Sequence, residues 1–277
     1  MSLINLIVDV LIFSLIPLGL WVSFRIMRYP DLAIEQVFVL GGVIFGLIVQ
    51  SGLKMAYIFP TLIVVSFILG FIISFFRHKL ELNPIILSLI FSYVFYSLSL
   101  CIMDRPNLSL IEYFEHIPKI HLLIITLLIL LVLIISFHLF LKSKRGTKVI
   151  ATGCNSELSK SLGLRSFLHG GIGISMSYLV VMIGGALYSL KLRNADISYG
   201  GGFLLMSIFI VLICRLFLSR ISFIKNALAI IIATLIYSII LQSIVSLNFP
   251  SELTRGFYAI MLLLLVVFSP KSKIKLL

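Results

Sequence analysis

The chain of 277 residues is 61% hydrophobic and only 12% charged, with a mean hydropathy of +1.21; this excludes a soluble globular domain, in which about a quarter of residues carry charge. Its net charge of +12 is not the footprint of a nucleic-acid binder, because the basic residues lie in short clusters between apolar segments. Cys101, Cys154 and Cys214 stand far apart, with no paired or metal-ligand spacing, and read as ordinary apolar side chains.

Apolar runs of about the 20 residues needed to cross a bilayer recur along the chain. Uninterrupted apolarity, as over residues 122–141, selects helices over alternating barrel strands. Membrane segments are predicted at Leu3–Phe24, Ala33–Gln50, Ala56–Phe76, Pro84–Met103, Leu122–Leu141, Leu168–Leu190, Gly202–Leu218, Ala227–Leu247 and Gly256–Phe268, all within one transmembrane domain over residues 1–277. The first segment has no basic flank before it and no small-residue cleavage site after it, so no cleavable signal peptide is expected.

After the first segment, Pro30 disfavours helix at Tyr29, and Asp31 and Glu35 follow. Two readings stand: a broken helix facing a cavity, where freed backbone groups meet water or substrate, or a short turn with Asp31 capping the next helix. Asn83 before Pro84 reads as a helix start. Arg105, Pro106 and Asn107 close the fourth segment, either ending its helix or shaping an entrance. The stretch from Asp104 to His121 mixes Asp104, Glu112 and Glu115 with Arg105 and Lys119. The stretch from Lys142 to Phe167 sets six basic residues against Glu157 alone.

That second loop reads as a basic tether, a turn containing Gly146, and a short helix capped by Asn155 or Ser156 and ending near Gly163. Glu157 and Lys160 match its dipole. Further on, Asp196 and Gly200 to Gly202 precede the seventh segment, where glycine permits close approach or a helix break. Gly170, Gly171, Gly173, Gly184 and Gly185 suit tight helix packing. By the positive-inside rule, sixteen of the 22 basic residues gather on one face, predicting an external N-terminus and a cytoplasmic C-terminus.

The stretch GTKVIATGCNSELSKSLGL, with Ala151, Gly153 and Asn155 followed by a helix and the pair Gly163 and Leu164, resembles the coupling-helix region of branched-chain amino acid and ribose importer permeases. Residues 18–46, 79–110 and 192–206 resemble, in the same order, an aromatic-amino-acid-related subgroup of these permeases, with Ile34 to Gln36 departing from its pattern. The resemblance implies an all-α polytopic fold of about eight or nine transmembrane helices, like a type II ATP-binding-cassette importer permease. It implies a homodimer fed by an extracytoplasmic binding protein and driven by separate cytoplasmic ATPase subunits. These would contact Gly146, Ala151, Gly153, Asn155, Ser156, Glu157, Lys160 and Gly163 in the coupling loop. Asp31, Glu35, Asn83, Asn107, Asp196 and Gly200 would lie along the substrate pathway.

No G-x-x-x-x-G-K-[ST] phosphate loop is present in the sequence, so ATP and magnesium would belong to the partner ATPase, with no cofactor in this chain. The alternatives are a secondary transporter or channel, which calls for charges inside spans, and an intramembrane enzyme. Asp9 is the only acid well inside a predicted segment. The histidines at 78, 116, 121, 138 and 169 have no ligand spacing.

Overall fold

The computed structural model describes residues 3–114, 118–217, 223–246 and 254–268. The helices are α1 (Leu3–Trp21), α2 (Ile34–Gln50), α3 (Ile58–His78), α4 (Pro84–Met103), α5 (Lys119–Lys142), α6 (Lys144–Cys154), α7 (Ser156–Ser161), α8 (Ser166–Leu192), α9 (Phe203–Phe217), α10 (Phe223–Ser246) and α11 (Thr254–Phe268). Two short strands, β1 (Asn107–Ser109) and β2 (Asn194–Asp196), pair antiparallel. Each of the nine predicted segments coincides with a helix. Seven helical stretches among the described residues are long and apolar enough to cross a membrane, whereas α2 and α11, at 17 and 15 residues, are shorter.

The core is organised around α8, which is buried along most of its length between α1, α2 and α3. Close approach comes from its small residues. Gly185 meets the Phe38 carbonyl and Gly41 meets the Met182 backbone, leaving no space for a β-carbon at either crossing. By contrast, α5 carries a dense row of exposed apolar side chains, including Ile124, Leu128 and Val132, as suits a helix solvated by lipid.

Helix α1 runs antiparallel to α8: Asp9 pairs with Lys191, and the Ser177 hydroxyl donates to the Gly19 carbonyl at 2.7 Å. The structure therefore answers the one charged residue expected inside a span. Lys191, at the far end of α8, neutralises Asp9, and both side chains are largely buried. Lys191→Met alone leaves an uncompensated carboxylate and is expected to cost about 3–5 kcal/mol. Adding Asp9→Leu should recover most of that loss. Thermal unfolding in detergent checks both variants, and a single variant as stable as wild type would contradict the pairing.

The basic tether predicted ahead of the short helix is instead a second helix, α6. Ser143 caps it, its hydroxyl oxygen accepting the Gly146 N–H at 3.2 Å. Val149, Thr152 and Gly153 form its buried stripe. Gly146 is not a turn residue; it sits where a β-carbon would strike the Phe140 carbonyl. Composition hid this helix, since Lys144, Arg145 and Lys148 stand at its start and two of its four buried residues are glycines.

Candidate functional site

Two regions collect the residues singled out above. The first is the break after α1. Past Trp21 the chain widens into a π-helical turn, Val22–Ile26, a distortion that often marks functional sites. Met27 packs against α8 at Gly173, Asp31 lies beside Tyr178, and Phe38 reaches Gly185. The segment thus climbs about 18 Å along α8 at 1.5 Å per residue, and α2 begins roughly midway along that helix. Met27, Tyr29 and Asp31 are fully buried there, so the break lies within the bundle, and Asp31 also bonds the backbone just ahead of α2 as a capping residue would.

Asp31 is fully buried, and its Oδ1 accepts the Ala33 N–H at 3.0 Å. Its carboxylate faces the Tyr178 hydroxyl, and the Tyr29 hydroxyl beside them has no hydrogen-bond partner among the described residues. A buried cluster of this kind costs free energy unless something hydrogen-bonds to it. Arg77 closes it from α3: its guanidinium lies over the Tyr29 ring at 5.3 Å and donates to the Met27 carbonyl at 3.1 Å.

Helix α9 also starts inside the fold. Gly200 is buried against Val39 and the Glu35 carbonyl, and the Leu204 N–H donates to Glu35 Oε2 at 3.3 Å. A carboxylate therefore sits at the first turn of two helices, where the dipoles favour negative charge. Beside it lies an aromatic group drawn from α1, α2, α8, α9 and the turn before α9. Phe203 is 5.3 Å from Phe13 and 5.1 Å from Phe38, and Tyr188 is 5.4 Å from Phe13 and 5.2 Å from Tyr199, between ring centres. Phe13, Tyr188, Tyr199 and Phe203 are only half-buried. No sequence period could have assembled this group, since its members come from separate segments.

The remaining pathway candidates separate. Asn107 and Asp196 face each other in the β1–β2 ladder and share a 3.2 Å hydrogen bond, closing the connections at one end of the bundle. Asn83 is exposed at the head of α4 and caps it, Oδ1 accepting the Ile85 N–H at 2.9 Å.

The second region is α6 and α7, at the end of the bundle opposite β1–β2. Asn155 is the cap of α7, its Oδ1 accepting from Glu157 N at 3.1 Å and Leu158 N at 3.0 Å. The Ala151 carbonyl accepts the Asn155 N–H, and the Ser156 carbonyl accepts from Ser166 Oγ. Gly163, at φ +73°, supplies the left-handed residue of a Schellman closure: its N–H donates to the Lys160 carbonyl, and that of Leu164 to the Ser159 carbonyl. Glu157 is exposed in the first turn of α7. Lys160 bonds Glu81 at 2.9 Å, tying α7 to the α3–α4 turn. The ammonium holds that carboxyl below its usual pKa.

The two regions touch. Gly153 is seated on the Ile26 carbonyl, with no space for a β-carbon, and Arg28 Nη1 donates to the Cys154 carbonyl at 3.0 Å. These contacts join α6 to the π-turn and to the break beyond it.

An all-helical bundle with two helices starting at mid-depth, and a surface helix pair leading to that break, is the architecture of a membrane permease. The chain belongs to the family described as branched-chain amino acid transport system / permease component, which matches residues 2–266. It is 31% identical over 232 residues to an uncharacterised protein of Rickettsia prowazekii (strain Madrid E), covering 81% of this chain and 82% of that one. It is 24% identical over 249 residues to a tyrosine transport system permease protein of Clostridioides difficile (strain R20291), covering 89% and 84%. No solved structure matches. The chain is accordingly a multi-pass membrane permease component of a transport system.

Proposed function

We propose that the chain is the permease of an ATP-binding-cassette importer in a bacterial cytoplasmic membrane, acting as a homodimer on an amino acid delivered by an extracytoplasmic binding protein. The observation that carries this reading is the continuous backbone contact from α7 through α6 to the break after α1. Leu158 on α7 and Leu162 at its C-cap are 56% and 70% exposed, which suits a helix that docks in a groove of a cytoplasmic ATPase. ATP and magnesium act on that partner, and its closure pushes α7 and opens the pathway alternately to either side. The face bearing α6 and α7 also gathers Arg25, Arg28, Arg77, Lys79, Lys142, Lys144, Arg145, Lys148 and Arg165, which supports a cytoplasmic location for it. Arg220, Lys271, Lys273 and Lys275, which the orientation also counted, lie outside the described residues.

The substrate we infer is an amino acid with an aromatic side chain. Glu35 receives the ammonium, and the half-buried rings of Tyr188 and Phe203 receive the side chain. Similarity to a tyrosine permease agrees with this. Glu35→Gln removes one charge-assisted contact, worth roughly 1.5–3 kcal/mol. It is expected to lower tyrosine uptake by about tenfold or more in cells carrying it as the sole copy, at an unchanged amount in the membrane. Unchanged uptake of both tyrosine and leucine would contradict this pocket.

A further inference from the structure

At the end of the bundle that holds β1–β2, a cavity of about 150 Å³ opens between the start of α1, the start of α5 and the end of α8. Asn5, Val8, Lys119, Leu122, Leu190, Lys191 and Arg193 line it. Three cations thus converge on one small space, and none of these lining residues is acidic. Asp9, beneath the cavity, bonds Lys191 and offsets only that charge. Lys191 and Arg193 close the C-terminal end of α8, where cations are favoured. Lys119 opens α5 behind Pro118, and no side chain among the described residues caps that end.

The remaining wall is apolar, through Val8, Leu122 and Leu190. From Lys119 it leads along α5 past Leu123, Leu127 and Leu131, which follow at four-residue spacing on the same ridge of the helix, Leu127 and Leu131 being each about half exposed. A soluble anion has no use for such a stripe. An amphiphile uses both parts.

We propose that this cavity binds the phosphate of an anionic membrane lipid, with its acyl chains along the α5 stripe. Lys119 and Arg193, which pair with no acid among the described residues, supply the charge, Lys191 a donor already held by Asp9, and Asn5 a neutral hydrogen bond. The site is separate from the pathway around Glu35. It gives α1, α5 and α8 a common tether at the membrane boundary, so that α1 pivots there when its other end is moved through α6.

The test is native mass spectrometry of the detergent-purified full chain, mixed with equal amounts of phosphatidylglycerol and phosphatidylcholine of the same acyl chains. Wild type is expected to retain one phosphatidylglycerol per copy in preference to phosphatidylcholine, whose choline cancels the phosphate charge. Lys119→Gln with Arg193→Asn should weaken that retention about tenfold or more. Lys119→Arg with Arg193→Lys should restore it. Equal retention of the two lipids, or retention unaffected by Lys119→Gln with Arg193→Asn, would overturn the site. Displacement of phosphatidylglycerol by millimolar inorganic phosphate would overturn the lipid as its source. Neither outcome depends on transport or on an ATPase partner.

Discussion

Gly153→Ala is expected to unseat α6 from the end of α1 and abolish coupled transport, although it adds only one methyl group. At Gly153 the neighbouring atom is the Ile26 carbonyl, and the next nearest is the Met27 α-carbon. These are backbone atoms in a π-turn already gripped by Arg77, so no side chain can rotate away. Overpacking against a rigid neighbour costs about 1–3 kcal/mol, sometimes more. The loss should appear as a lowered unfolding temperature in detergent together with lost uptake. Gly163→Ala is the control: nothing lies within 4 Å of the added atom, so only left-handed backbone strain of about a kilocalorie is incurred. A Gly153→Ala protein with wild-type stability and uptake would show that α6 and α1 are not mechanically joined.

The second large effect lies on α7. Leu158 and Leu162 fall four residues apart, on one face of a helix ended by Gly163. Neither is needed by the fold, because both project outward. In a docked complex each would be worth roughly 1.5–3 kcal/mol when buried. Leu158→Asp with Leu162→Asp should therefore weaken attachment of the ATPase by at least a hundredfold, with the chain still inserted and folded. A folded double variant that transports normally would remove α7 from the mechanism.

The helical class and every membrane segment could be read from the sequence because a lipid solvent demands long apolar stretches, and that demand is local. Asn155 and Gly163 were legible for the same reason, a cap and a left-handed terminus being properties of neighbouring residues. The α6 helix was obscured by Lys144, Arg145 and Lys148, whose charge resembles a tether until Val149 and Gly153 are seen to face one way. The aromatic group and the Asp9–Lys191 pair were illegible. Their members are joined only by how the spans are arranged, and an inward phenylalanine looks the same in sequence as one facing lipid. Asp31 lay between two readings because Pro30 signals a break but not its depth.

Coupling through α7 is tested most directly by affinity capture of this permease from its native membranes in mild detergent, with mass spectrometry of the proteins retained. It predicts a P-loop ATPase held by the wild-type chain and released by Leu158→Asp with Leu162→Asp. Recovery of the permease alone, or of an ATPase held equally by the altered α7, would contradict it.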